Sequence, residues 1–184
     1  MKQIEIMIIN TGGTFSKEYN KKTGKLEVNC SKLNSYYPSK HSNLLIEDLI
    51  LNLNLSPSLK ISITSIICKD SLDITKKDRE KLLDLIKQMK NKERILIIHG
   101  TDTIDKTAEF LNKYIKNKKI VLTGSMYPYR INPIEAGANF ASAITTLQLI
   151  QENGIYIAID GIVEKFKNIK KDKEKAYFYL KEKN

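Results

Sequence analysis

Two apolar rhythms alternate along this chain. Short runs dominated by Ile, Leu and Val fall at residues 4–10, 60–68, 94–99, 120–123 and 155–160. They are too short for helices and rich in β-branched side chains, the pattern of strands covered on both faces. Between them the apolar spacing becomes helical. Thr75-Lys76-Lys77-Asp78 has the form of a capping box with Asp in place of the usual Glu, and Leu82, Leu85, Ile86 and Met89 follow as a stripe. Asp102 or Thr103 is placed to cap a second helix striped by Ile104, Ala108, Leu111 and Ile115. Asn132-Pro133-Ile134-Glu135 offers an N-cap, a proline at the first helical position and a first-turn acid. Ala138, Ala141, Ala143 and Ile144 then supply a face for close packing on a sheet.

A further helix is expected over residues 43–53, ending before Ser56-Pro57. Residues 15–26 are polar and rich in Lys, Gly and Asn, and read as a mobile loop. The tail from residue 165 is lysine-rich, but Tyr177, Phe178, Tyr179 and Leu180 predict that it docks. Alternating strands and helices give an α/β fold: a doubly wound, mostly parallel sheet with helices on both faces, a Rossmann-like three-layer sandwich. The 184 residues are expected to form a single domain, with a core over 1–163 and a lysine-rich C-terminal segment over 164–184.

Composition narrows the function. A hydrophobic fraction of 41% excludes disorder, and no apolar run reaches membrane-spanning length. The first apolar run carries Glu5 and is followed by no small-residue cleavage site, so it reads as a strand rather than a signal peptide. Cys30, Cys68, His41 and His99 show no metal-ligand spacing, so no metal is expected, and a reduced, cytoplasmic setting is the simplest expectation. Cys68 reads as a buried apolar filler. The net charge of +10 comes from lysines spread over most of the chain and mixed with acids. That is the pattern of a solvated surface, so neither nucleic acid nor membrane is an expected partner.

In an open parallel sheet, ligands bind beyond the carboxyl ends of the strands. The residues that follow the strands here are Asn10-Thr11-Gly12-Gly13-Thr14, Asp70-Ser71-Leu72-Asp73, His99-Gly100-Thr101-Asp102-Thr103 and Thr123-Gly124-Ser125. Hydroxyls and carboxylates thus gather at one edge. A threonine hydroxyl needs a base or an activating partner to attack a carbonyl. Thr14 follows two glycines that allow a tight turn and bring main-chain N–H groups close to a ligand. Thr101 and Asp102 offer a second hydroxyl beside a carboxylate, and a lysine can complete such a set as proton acceptor. Composition does not say which lysine. Gly12-Gly13 is neither a P-loop, since no Gly-Lys-Ser/Thr follows, nor a dinucleotide fingerprint, since the spaced third glycine is missing. His99 reads as a structural hydrogen-bonding group, Glu135 as a first-turn helix acid and Asp160 as a turn acid.

Thr11-Gly12-Gly13-Thr14-Phe15 and His99-Gly100-Thr101-Asp102-Thr103, in this order and each directly after an expected strand, resemble the two signatures of bacterial-type L-asparaginases. Leu122-Thr123-Gly124-Ser125-Met126 is similar to that family's next strand end, and the resemblance runs from about residue 4 to about 171. It implies an amidohydrolase that converts L-asparagine to aspartate and ammonia with no cofactor. Thr14 would be the nucleophile. Thr101 would activate or orient, and Asp102 would bind the substrate's α-amino group. Lys171 would be the lysine partner of Thr101, with Lys170 the alternative one register away. Ser71 would take the α-carboxylate, Asp73 matches a nearby family acid, and Ser125, Gly13 and Gly100 fall at backbone and oxyanion contacts. Tyr19 is the best counterpart of the tyrosine that helps activate the nucleophile. Family members carry a second, smaller C-terminal domain, so the chain reads as a one-domain form, expected as a homodimer or larger homo-oligomer. A different amide substrate, or an amino-acid-binding or regulatory protein with little turnover, are the alternative readings.

Overall fold

A computed structural model describes residues 3–29 and 44–182. Cys30, His41 and Asn43 lie outside the described residues. Five parallel strands form the body of a six-stranded sheet: β1 (Ile4–Gly12), β4 (Leu59–Lys69), β5 (Arg94–Ile98), β6 (Lys119–Thr123) and β7 (Gly154–Ile159). A sixth, β8 (Ile162–Lys165), turns back antiparallel on β7. The order across the sheet is β4-β1-β5-β6-β7-β8. The chain starts in the interior at β1, steps to one side for β4, then crosses to the other side for β5. That reversal opens a crevice at the carboxyl ends of β1 and β5, the position at which such sheets bind ligands.

The period of two along each strand sorts the core into two layers. Ile9, Ile95, Ile97, Ile120, Leu122 and Ile157 face α2 (Lys76–Gln88) and α3 (Ile104–Tyr114). Ile6, Ile8, Leu96, Ile98 and Val121 face α1 (Leu44–Asn52) and α4 (Pro133–Leu149). Adjacent residues of β5 therefore belong to opposite layers. The expected three-layer α/β arrangement is the one found.

Helix starts follow the sequence at two of three places. Thr75 and Asp78 form a reciprocal capping box, and the Asn132 side chain accepts from Glu135 N with Pro133 at the helix start. The expected cap on α3 is absent. Its N-cap Thr103 makes no side-chain cap bond; its hydroxyl points to Ser71 O, to which it donates at 2.7 Å, and its oxygen accepts from Arg79 Nη2. On α4, Ala138 is exposed, and Ala136, Phe140, Ala143, Ile144 and Leu147 carry the buried face.

The segment read as a loop is ordered as a hairpin. After a 3-10 turn at Thr14–Ser16, β2 (Lys17–Asn20) pairs antiparallel with β3 (Lys25–Val28). Its polar residues close the turn by bonding each other: Asn20 Nδ2 and Thr23 Oγ1 both donate to Glu27. Polar composition masked a strand pair that has little apolar surface to bury.

The tail forms a second hairpin, β9 (Ile169–Asp172) with β10 (Tyr177–Leu180). Ile169 and Phe178 are buried in the α2–α3 layer, which anchors it. Cys68 is half-buried and disulfide-bonded, unlike the reduced filler that its position suggested. Among the described residues, no helix is long and apolar enough to cross a membrane.

Candidate active site

The end of β1 is tied to its neighbours before it reaches Thr14. Thr11 Oγ1 donates to Ile98 O at 2.8 Å, joining β1 to β5. Asn10 Oδ1, buried, accepts from Gly12 N and from Ser16 Oγ, and so folds the chain over itself on either side of Thr14. Phe15 is fully buried and stacks on Tyr129. Thr14 is held between two anchors while its own side chain remains half-buried.

Gly13, Gly100 and Ser71 form a contact too close for side chains. A Cβ on Gly13, which has φ of 78°, would lie 2.4 Å from the Gly100 Cα. A Cβ on Gly100 would lie 2.5 Å from the Ser71 Cβ. The two glycines therefore let the ends of β1 and β5 and the turn after β4 approach to backbone contact.

Behind Gly100 a chain of hydrogen bonds sets proton positions. His99 Nδ1 lies 2.8 Å from Gly100 O, and a carbonyl only accepts, so Nδ1 carries the proton. Burial pushes the His99 pKa down to about 4, so the ring is neutral near pH 7 and its Nε2 is an acceptor. Thr107 Oγ1, 2.8 Å away, donates to it and accepts from Arg79 Nε at 2.9 Å. The guanidinium also donates to Ile74 O and Thr103 Oγ1. His99 is thus structural, as its position suggested. In a trans peptide the C=O and the following N–H point in opposite directions. Fixing Gly100 O on His99 therefore turns the Thr101 N–H away from it.

Lys171 reaches this edge from β9. Its Nζ lies 2.7 Å from Thr101 Oγ1 and 2.6 Å from Asp102 Oδ1, and its side chain is only 11% exposed. Lys170, one residue earlier on the strand, is exposed. The alternation of a strand thus brings Lys171, and not Lys170, to Thr101.

Thr14, Thr101, Asp102 and Lys171 share the wall of a cavity of about 760 Å³. Its remaining walls come from Met126, Tyr127, Asn132 and Glu135, from Asp160, and from the β9–β10 turn. Glu135 and Asp160 in the wall, and Asn139 outside it, support the site without belonging to a motif. Glu135 accepts from Met126 N and Tyr127 N at 2.6 and 3.2 Å, so it shapes the loop as well as starting α4. Asn139, buried on α4, bonds Gly124 O and Asp160 N and aligns the ends of β6 and β7. Asp160 Oδ2 accepts from Phe178 N at 3.0 Å and holds the second hairpin. Glu135 and Asp160 had been legible only as local helix and turn acids.

Other expected site residues stand elsewhere. Ser71 is adjacent to Gly100 but only 1% exposed, and Asp73 is exposed; neither lines this cavity. Ser125 is fully buried and donates to Tyr127 O, a turn contact. Tyr19 is 65% exposed on the first hairpin, with its hydroxyl beside Gly24 rather than Thr14. Among the described residues, no group of three or more His, Cys, Asp or Glu is placed to hold a metal ion.

Residues 5–178 match the family model for the asparaginase N-terminal domain. The chain belongs to the asparaginase family. It is 29% identical over 140 residues to a glutaminase-asparaginase of Acinetobacter glutaminasificans, covering 76% of this chain and 40% of that protein. The thermostable L-asparaginase of Thermococcus kodakarensis superposes with a TM-score of 0.76 at 23% identity, covering 96% of this chain and 51% of that one. L-asparaginase I of Vibrio cholerae O1 biovar eltor superposes with a TM-score of 0.77 at 20% identity, covering 97% and 51%. At such identities these structures establish a shared fold. The chain spans about half of those two asparaginases, and less of the Acinetobacter relative.

Proposed function

We propose that this chain carries an amidohydrolase site that hydrolyses the side-chain amide of L-asparagine, with Thr14 as nucleophile. The observation that carries this reading is the Thr101–Asp102–Lys171 cluster, joined at 2.6–2.7 Å and sharing one cavity with Thr14. A threonine that follows a Gly-Gly turn, close to a second hydroxyl held by lysine, is an arrangement that serves acyl transfer.

The Thr14 oxygen attacks the amide carbon, the C–N bond breaks, and the hydroxyl proton leaves with ammonia. Water then cleaves the β-aspartyl ester and returns a proton to Thr14. Lys171, fixed by Asp102, donates to Thr101 Oγ1, and the Thr101 hydroxyl donates to Met126 Sδ at 3.6 Å; from this position it serves the proton transfers of either step. The Thr101 N–H, turned away from His99, is a donor for the carbonyl oxygen as it gains charge. Asp102, partly exposed, offers an anion to the substrate's α-ammonium. Ser71, buried beside Gly100, reaches the α-carboxylate only if the turn after β4 moves to uncover it. Tyr19 stands away from Thr14, so its part in activation requires the first hairpin to move.

Purified protein is expected to release ammonia from L-asparagine, and Thr14→Ala to abolish it. Binding of asparagine without ammonia release would instead make this a binding protein. The same reading includes self-association into a homodimer or larger assembly, which light scattering tests directly.

A further inference from the structure

The Thr101 hydroxyl has one proton to place, and Lys171 does not take it. Lys171 Nζ, paired with Asp102, reaches Thr101 Oγ1 as a donor at 2.7 Å, and an ammonium has no lone pair to accept with. The Thr101 proton points elsewhere, and its acceptor is Met126 Sδ at 3.6 Å. The backbone sets this contact. A Cβ on Gly124 would collide with His99 O, so the residues after β6 run against the end of β5. Ser125 Oγ donates to Tyr127 O, and Glu135 Oε1 accepts from Met126 N at 2.6 Å. The turn that carries the sulfur is therefore held from both sides.

A thioether is a weak acceptor. It keeps the Thr101 hydroxyl in one orientation yet gives it up at little cost, which suits a group that passes a proton. The same sulfur is open to a small oxidant. Met126 is half-buried and lines the cavity of about 760 Å³, through which a molecule little larger than water reaches it. Met7 and Met89 pack on the same apolar layer as Met126, and neither lines the cavity. Oxidation turns a flexible apolar side chain into a polar, chiral one. At Met126 the added oxygen stands beside Thr101, and in one of the two sulfoxide epimers it faces the hydroxyl. A weak sulfur acceptor is then replaced by a strong oxygen one.

We propose that Met126 is a redox modification site: as a thioether it parks the Thr101 proton, and its oxidation to the sulfoxide by hydrogen peroxide holds that proton and arrests turnover reversibly. The inference rests on the reading of Thr101 given above. The sulfur lone pair attacks one peroxide oxygen, the O–O bond breaks, and the other oxygen leaves as water. Sulfur loses two electrons and the peroxide gains them. A methionine sulfoxide reductase, drawing two electrons from thiols, returns the thioether and releases the oxygen as water.

The test follows ammonia release from L-asparagine, and the oxidation of each methionine by mass spectrometry, in the unmodified chain and in Met126→Leu, a swap that nearly conserves volume. Met7 and Met89 are present in both, so their oxidation affects both alike. Before peroxide, Met126→Leu is expected to lose about two- to tenfold in kcat, the scale of one neutral hydrogen bond, with little change in KM. With peroxide, the activity of the unmodified chain should fall in step with the fraction of Met126 sulfoxide and return with the reductase, while Met126→Leu keeps the activity it has. A second measurement needs no turnover. The Thr101 hydroxyl draws on the sulfur lone pair, so Thr101→Val should speed oxidation of Met126 about two- to fivefold, the scale of a weak sulfur contact, and leave the rates at Met7 and Met89 as they were. If peroxide stops both chains equally, the inference fails and the asparaginase reading stands. If the unmodified chain releases no ammonia, the catalytic reading fails, while faster oxidation of Met126 in Thr101→Val still supports the sulfur contact. Equal rates in the two chains, or a Met126 that resists peroxide while Met7 and Met89 oxidise, overturn it.

Discussion

Lys171 and Asp102 lie 69 residues apart in the chain and 2.6 Å apart at Nζ and Oδ1. The pair exists because the β9–β10 hairpin docks through Ile169 and Phe178 beside α3, so the second hairpin is part of the site rather than a solvated tail. Lys171→Met removes both the Thr101 contact and the counter-ion of Asp102. The turnover rate is expected to fall by about 10²–10⁴, the usual contribution of a positioned proton-transfer group. Lys170→Met, on the exposed side of the same strand, should leave the rate within a factor of about two, as surface changes generally do. Steady-state kinetics on the two variants separates adjacent residues that composition alone cannot.

Gly100→Ala places a methyl group 2.5 Å from the Ser71 Cβ and 3.1 Å from the Gly13 Cα. Both neighbours are close to backbone and cannot rotate away. A stability loss of about 1–3 kcal/mol is expected from overpacking, together with loss of activity as the Thr14 and Thr101 turns are forced apart. Urea denaturation and ammonia release measure the two effects separately.

Thr107→Val keeps the shape and deletes one hydroxyl. His99 Nε2 and Arg79 Nε both lose their partner within the interior, for an expected loss of about 1–3 kcal/mol. The Gly100 carbonyl still holds the proton on His99 Nδ1, so nitrogen NMR of the imidazole is expected to show the same tautomer with Nε2 left without a donor. Unchanged stability would show that the Arg79–Thr107 link is dispensable.

Stability should depend on pH through His99. Burial holds its folded pKa at about 4 against an ordinary value of 6.5. Between those values the unfolded chain binds more protons than the folded one, so stability falls as pH drops from 6.5 toward 4. The urea midpoint is expected to decline across that window, and His99→Gln to flatten the decline. Asp78 acts lower still. Burial works to raise its pKa, but hydrogen bonds from Lys69 and Thr75 hold it at about 2, so its contribution is lost only as pH falls from 3.8 toward 2.

The sheet was readable because its strands are buried on both faces. Runs such as Ile95, Leu96, Ile97 and Ile98 must be apolar at every position to serve two layers at once. Strands outside the sheet body carry no such requirement. β2 and β3 are polar because they are bound by Glu27, Asn20 and Thr23 rather than by a core, and they read as loop. In the site, Thr14, Thr101 and Asp102 were visible because each follows a strand end with glycine at hand. Lys171 was reached only through the family resemblance. Nothing local marks it in a lysine-rich tail, since its distinction is the direction of its side chain on β9. Arg79 acts through a long-range bond to Thr107 on α3, and Asn139 through bonds to the residues just after β6 and β7, which no local pattern encodes.

The central claim is covalent, and it is tested most directly by trapping the acyl-enzyme. Protein mixed with L-asparagine is quenched in acid within one turnover, digested, and examined by mass spectrometry. The account predicts that the peptide containing Thr14 gains the mass of one aspartyl group, and that the gain is absent in Thr14→Ala. Ammonia release with the aspartyl group found on another residue, or persisting in Thr14→Ala, would contradict it.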